Sequence, residues 1–363
     1  MTKKLRARQL GLPFPGVTGQ HNAITDVPGV LVGYQTIINH DPVSPARTGV
    51  TAILPHGYQT EPQPVWAGSY ALNGNGEMTG THWIQDGGYF CGPIMLTNTH
   101  AIGITHHATV KWMVEQYQSE WQQHHLWAMP VIAETYDGVL NDINAMHVTE
   151  QDALCALQNA TGGNIAEGCV GGGTGMIAYG FKGGTGTASR VVDVEGETYT
   201  VAALVQANHG VRPWFNVLGA PIGCYLTDDD LMEQKEMGSI IVVLATDAPM
   251  LPHQLKRMAK RAAIGIGRNG SPGGNNSGDI FLAFSTANRQ SLPQLSPSYT
   301  NMTCLNDERF DEFYLAAVES VEESVVNAML AAEDAPTFKP AGLNVKAIDP
   351  QQLLSLVDRF HSV

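Results

Sequence analysis

The sequence predicts a single-domain mixed α/β protein in which strands lie sandwiched between layers of helix. Three observations carry this. Apolar runs of strand length are hydrophobic on both faces, so they belong inside layers of other structure. Helical periods are interspersed with them rather than gathered at one end, and no low-complexity linker divides the 363 residues. Long glycine-rich connections between the strands argue against a regular βαβ series.

In chain order, Val27–Tyr34, Gly49–Leu54 and Ile94–Leu96 read as the first strands. Thr109–Glu120 is patterned as a helix, Met129–Ala133 as a strand, and Thr149–Ala160 as a helix opened by an approximate capping box of Thr149 and Asp152. Val201–Ala207 and Ser239–Ala245 are apolar strands, Pro252–Ile264 a helix, and Ile280–Ser285 a further strand. In the helix Glu312–Ala332, Leu315, Val318, Val321, Val325 and Met329 line one face; Glu319, Glu322 and Glu323 fall elsewhere and read as solvated surface. Pro350–His361 is the last helix.

Composition excludes several function classes. With 43% hydrophobic residues the chain buries a large core, and its 34 acidic against 20 basic residues give a formal charge of −14. That balance argues against a nucleic-acid partner, which needs a basic surface. Lys3, Lys4, Arg6 and Arg8 are not followed by an apolar stretch long enough for a signal peptide or membrane span, so a cytoplasmic protein without a membrane partner is expected. Five scattered cysteines, Cys91, Cys155, Cys169, Cys224 and Cys304, never stand in a Cys-x-x-Cys spacing and read as reduced core residues. Pairs at His106-His107 and His124-His125 lack the spacing and carboxylate of a zinc site, so no metal or cofactor is expected.

The 39 glycines concentrate at 73–80, 168–190 and 265–279. Such clusters mark tight turns around a site or closely packed layers. Nucleotide binding does not fit: Lys182 precedes its glycines, and the Gly171–Gly175 run lacks a dinucleotide spacing.

Gly238-Ser239 leads directly into the apolar run Ile240–Ala245. Were the chain cut between them, the new N-terminal serine would carry a nucleophile and a free α-amine together, giving a weak hydroxyl a possible base. A Gly-Ser pair by itself is most often a turn, and Gly68-Ser69 and Gly270-Ser271 share it.

Longer strings decide the matter. Glu134-Thr-Tyr-Asp-Gly-Val-Leu-Asn-Asp142, Gly171-Gly-Gly-Thr-Gly-Met176, Phe181-Lys-Gly-Gly-Thr-Gly-Thr-Ala-Ser-Arg190, Gln206-Ala-Asn-His-Gly210 and the run Asn276–Asn288 resemble, in one order, the DmpA-type aminopeptidases, which include the bacterial β-aminopeptidases. The resemblance implies an αββα sandwich like that of N-terminal-nucleophile hydrolases, with its own connectivity. It also implies self-cleavage into an α chain, Met1–Gly238, and a β chain, Ser239–Val363, which stay associated and form a homo-oligomer, a tetramer being favoured. Ser239 is then the nucleophile for self-cleavage and for substrate acylation.

By the same resemblance Ser277 and Asp279 sit beside the nucleophile, although the better-described β-aminopeptidases have glutamate in the Asp279 place. Asn208 is the oxyanion-hole amide, with the Tyr136 hydroxyl a second donor. Glu134, two residues before Tyr136 in an extended segment, is a candidate anchor for the substrate's ammonium. The base is either the Ser239 α-amine or the Ser277–Asp279 pair; a histidine-based triad using His209 is the runner-up chemistry. The expected activity is removal of N-terminal residues from short peptides, amides or esters, β- and D-aminoacyl groups among them, with specificity shaped by loops such as Trp66–Asn75 and Ile84–Phe90. The alternatives are an uncleaved binding protein of the same fold and an acyltransferase of the ornithine-acetyltransferase type, whose nucleophile position resembles threonine.

Overall fold

The computed structural model describes residues 4–231 and 238–361. Its strands are β1 (Leu31–Ile38), β2 (Arg47–Leu54), β3 (Pro64–Ala71), β4 (Tyr89–Cys91), β5 (Ile94–Asn98), β6 (Val131–Thr135), β7 (Ile177–Ala178), β8 (Phe181–Lys182), β9 (Gly184–Val194), β10 (Glu197–Asn208), β11 (Ser239–Thr246), β12 (Gly278–Ser285), β13 (Ala335–Pro336) and β14 (Asn344–Val345). The helices are α1 (Ala7–Leu10), α2 (Thr81–Gly87), α3 (Ile102–Gln116), α4 (Gln118–Gln123), α5 (Glu150–Gln158), α6 (Pro252–Ala259), α7 (Ala262–Arg268), α8 (Phe310–Ala331) and α9 (Pro350–His361). One sheet runs β1-β2-β5-β6, the other β4-β3-β12-β11-β10-β9, and β7-β8 and β13-β14 form short pairs.

Side-chain alternation shows how the layers arise. Ala202 and Leu204 of β10, with Ile241, Val243 and Ala245 of β11, face Ile53, Leu96 and Ala133 of the other sheet. Their neighbours Ala203, Val205, Ile240, Val242 and Leu244 face the opposite way, onto Leu255 of α6 and Val321, Val325 and Met329 of α8. A third layer packs Val50, Met95 and Ile132 on Trp112 of α3 and Leu157 of α5. Strands covered on both faces must be apolar at successive positions, which is the pattern the sequence carries. Each fully buried Val, Leu or Ile contributes about 1.5–3 kcal/mol. The architecture is the expected αββα sandwich.

The structure departs from the sequence reading in several places. Strands β3 and β9 were not expected. In β9, glycines weaken the strand signal, but a Cβ on Gly186 would stand 2.0 Å from the Ser324 carbonyl oxygen, so the glycine is what lets α8 lie close on the sheet. Helix α3 begins at Ile102 and carries the His106-His107 pair, and Pro252–Ile264 resolves into α6 and the start of α7. The α5 capping box is present: Thr149 N donates to Asp152 Oδ2 at 2.8 Å. Segments expected as loops at Trp66–Asn75 and Ile84–Phe90 are largely β3, α2 and β4. Among the cysteines only Cys91 is buried; Cys224 and Cys304 are exposed.

The largest correction concerns α8. Glu319, Glu322 and Glu323 are buried, not solvated. Arg190 of β9 bonds Glu319 through Nε at 3.0 Å and Glu323 through its NH2 nitrogen at 2.8 Å, while Arg8 reaches Glu323 at 3.0 Å and Arg268 reaches Glu322 at 3.3 Å. A carboxylate on the covered side of a helix is tolerable when a guanidinium meets it there. Among the described residues no helix is long and apolar enough to cross a membrane.

Candidate active site

Ser239 is the first residue of β11, is 4% exposed, and lies between two strand ends. Antiparallel register sets it opposite Asn208 of β10, and parallel register sets it opposite Gly278 of β12. It shares parity with Ile241 and Val243, as Asn208 does with Leu204, so both side chains leave the sheet on its inner face. A Cβ on the preceding residue, Gly238, would stand 1.7 Å from the Asn208 carbonyl oxygen. Only glycine fits where the chain passes against β10 on its way to Ser239.

The Asn208 side chain is held at both its oxygen and its nitrogen. Its Oδ1 accepts from Ile177 N at 2.8 Å and its Nδ2 donates to Tyr136 O at 2.9 Å, which fixes the orientation of the amide. An amide nitrogen carries two protons, and Tyr136 takes one. The Tyr136 ring is half exposed, with its hydroxyl turned back over Gly138, 2.2 Å from where a Cβ would stand. Tyr136, Asn208 and Gly238 share a cleft of about 390 Å³, walled by Val139, Leu231 and Val345.

On the other side of Ser239, Ser277 Oγ donates to Asp279 Oδ1 at 2.6 Å, and both residues are fully buried. The aspartate carboxylate thus reaches the neighbouring hydroxyl. Gly278 N, between the two, donates to Gly238 O at 3.4 Å. Asp279 has the parity of Phe281, whose side chain faces the helices, so this pair flanks Ser239 from the face opposite Asn208.

Glu134 ends β6 and is 4% exposed. One oxygen accepts from Glu77 N at 3.0 Å and the other from the Thr99 hydroxyl; no arginine meets it among the described residues. Burial raises its pKa above the ordinary glutamate value, while the Thr99 and Glu77 hydrogen bonds and nearby His100 favour the ionised form. Gly76 lies between this carboxylate and β12: a Cβ there would stand 3.1 Å from Glu134 Oε1 and 3.5 Å from Gly278 Cα. Glu134 is thus brought from the first sheet to the strand end beside Ser239.

His209 is buried, and burial pushes its pKa down to about 3. Its Nε2 lies 3.3 Å from the Tyr179 hydroxyl, and the two rings meet edge to face at 5.0 Å. Such an imidazole stays neutral and is a weak base at neutral pH, which disfavours a histidine triad.

Sequence reasoning missed the groups that hold Glu134, namely Thr99, His100 and the Glu77 amide, and missed Asp137. Asp137 is buried behind Tyr136, accepts from Asn141 Nδ2 at 3.0 Å, and is pushed up to about 6 by burial. The only available signal was its place in the string Glu134–Asp142.

Comparison with known proteins identifies the family of the chain. Residues 22–341 match the model of peptidase family S58. A β-peptidyl aminopeptidase BapA from Sphingosinicella microcystinivorans is 49% identical over 347 residues, covering 90% of this chain and 86% of the relative. The structure of an L-aminopeptidase D-Ala-esterase/amidase from Ochrobactrum anthropi, described as a prototype for the serine aminopeptidases and a variant of the Ntn hydrolase fold, superposes with a TM-score of 0.95 at 59% identity, covering 98% of this chain and 99% of that one. A Burkholderia sp. β-aminopeptidase superposes with a TM-score of 0.89 at 42% identity, with 98% and 99% coverage. The expectation of an enzyme thereby prevails over that of a binding protein, and the chain belongs to peptidase family S58 as an aminopeptidase of the Ntn-hydrolase fold.

Proposed function

We propose that the chain cuts itself between Gly238 and Ser239 and that the freed Ser239 then removes N-terminal residues from short peptides, amides or esters. The observation that carries this is the placement of Ser239 at the buried first position of a central strand, opposite the fixed amide of Asn208 and behind a position only glycine can occupy. In self-cleavage Ser239 Oγ attacks the Gly238 carbonyl carbon and the peptide nitrogen leaves as the α-amine. Water then hydrolyses the resulting ester, leaving a carboxylate on Gly238 and the hydroxyl on Ser239. With substrate the α-amine, of ordinary pKa about 7.7–8.0, takes the hydroxyl proton as Oγ attacks and delivers it to the leaving nitrogen or oxygen. Water releases the acyl group from the serine ester.

Asn208 Nδ2 donates to the developing oxyanion, an interaction whose loss costs on the order of 10²–10³ in rate. Ser277 and Asp279 hold the α-amine from the opposite face, Tyr136 borders the acyl carbonyl, and Glu134 binds the substrate ammonium. The substrates named for the relatives support aminoacyl amides and esters, D-alanyl and β-aminoacyl groups among them. Persistent association of the two pieces, and a homo-oligomer with a tetramer favoured, belong to the same proposal, as does a cytoplasmic setting.

Intact mass under denaturing conditions tests the first step. Wild type should give pieces Met1–Gly238 and Ser239–Val363, and Ser239→Ala one 363-residue chain. Wild type should then hydrolyse aminoacyl p-nitroanilides and Ser239→Ala should not. A single uncut wild-type chain that still turns these substrates over would overturn the proposal.

A further inference from the structure

The cleft beside Ser239 has one feature that the acyl-transfer chemistry does not use. Among the described residues lining it, Lys339 is the sole charged side chain; His209 is neutral, and Val139, Ile177, Leu231, Pro340 and Val345 are apolar. Among the described residues Lys339 Nζ has no hydrogen-bond or ion-pair partner. An unpaired cation is notable in a chain with a formal charge of −14. Its backbone is nonetheless fixed: Phe338 N and Lys339 N both donate to Val139 O, at 2.8 and 3.1 Å. The lysine therefore stands on a braced turn between β13 and β14, facing the residues that follow Tyr136.

The two ends of a substrate fall on different sides of this site. Glu134, proposed to hold the ammonium, does not line the cleft but lies behind Gly76 towards β12. An acyl group running from Glu134 to Ser239 puts the scissile nitrogen, and whatever it carries, in the cleft. Resting on the acyl-transfer reading above, we infer that Lys339 receives the free C-terminal carboxylate of the leaving group, so that dipeptides are preferred to their amides. In a dipeptide that carboxyl carbon is two bonds from the scissile nitrogen, so the charge enters the cleft with the leaving residue. A carboxylate there gains a charge-assisted partner against apolar walls, and a neutral amide does not.

The test compares kcat/KM for L-alanyl-glycine, L-alanyl-glycinamide and L-alanine p-nitroanilide on self-cleaved wild type, Lys339→Gln and Lys339→Arg. Lys339→Gln should lower the value for L-alanyl-glycine by about 5–10-fold, the effect of losing an exposed charge-assisted contact. It should leave the two uncharged leaving groups within about twofold and the self-cleaved masses unchanged. Lys339→Arg should restore the preference, and added salt should reduce it in wild type. Equal losses on all three substrates, or no loss on the dipeptide while the p-nitroanilide is still cleaved, would overturn the assignment of Lys339 alone. Absence of turnover of any of them by wild type would instead remove the acyl-transfer reading and this inference with it.

Discussion

On the proposed mechanism two groups, the Ser239 α-amine and Glu134, set the expected pH dependence. The α-amine must be unprotonated to accept the hydroxyl proton, so kcat should rise with pH through about 7.7–8.0. Glu134 must be ionised to hold an ammonium, and burial raises its pKa, so KM should begin to rise on acidification at a higher pH than an ordinary glutamate would give. His209, pushed down to about 3, is already neutral across this range and should contribute no limb. Steady-state kcat and KM measured from pH 5 to 9 check these signs; an inflection near 6.5 that vanishes in His209→Asn would sink the α-amine assignment. Asn208, Ser277 and Asp279 were read from strings whose order and spacing are themselves the signal, and Ser239 from the Gly-Ser junction that opens an apolar run. The partners of Glu134 were not, because Thr99 and Glu77 stand 35 and 57 residues away and meet it only through the packing of separate segments.

Helices and strands were legible where one face or both are uniformly apolar, and hidden where charge or glycine does structural work. Helix α8 shows both. Its valine stripe was readable, but Glu319 and Glu323 were assigned to solvent because their partner Arg190 sits on β9, a strand that glycines conceal, and Glu322 because its partner Arg268 sits on α7. Arg190 is 1% exposed, and its guanidinium also donates to Ser189 O at 2.8 Å. Removing it leaves two buried carboxylates without their shared cation, and breaking a buried pair in this way costs about 3–5 kcal/mol. Arg190→Met should therefore lower Tm by several degrees. By contrast Arg257→Ala, which breaks the exposed pair with Asp307, should cost at most about 1 kcal/mol. Thermal unfolding of the two variants followed by circular dichroism distinguishes them; equal shifts would mean that the α8 network adds nothing beyond a surface pair.

Across the whole molecule, the layered class followed from strands apolar on both faces, but strand order did not, since periodicity carries no information about which strands pair. That order, β4-β3-β12-β11-β10-β9, has a direct consequence for a chain cut at Gly238. The piece beginning at Ser239 supplies β11 and β12 to the middle of the sheet, while the other piece supplies β3 and β4 on one side and β9 and β10 on the other. Helix α8 of the second piece covers β9 and β10 of the first, through Val321, Val325 and Met329 packed on Val201, Ala203 and Val205. Separating the pieces would open two strand interfaces and two apolar layers at once, and would leave β11 and β12 as a parallel pair with both edges bare. The cleaved protein should therefore elute as one species on native size exclusion and resolve into two masses only under denaturing conditions. The piece Ser239–Val363 expressed alone should aggregate rather than fold. A folded, soluble Ser239–Val363, or its release from the cleaved protein without denaturant, would show that the central position of these strands does not hold the halves together.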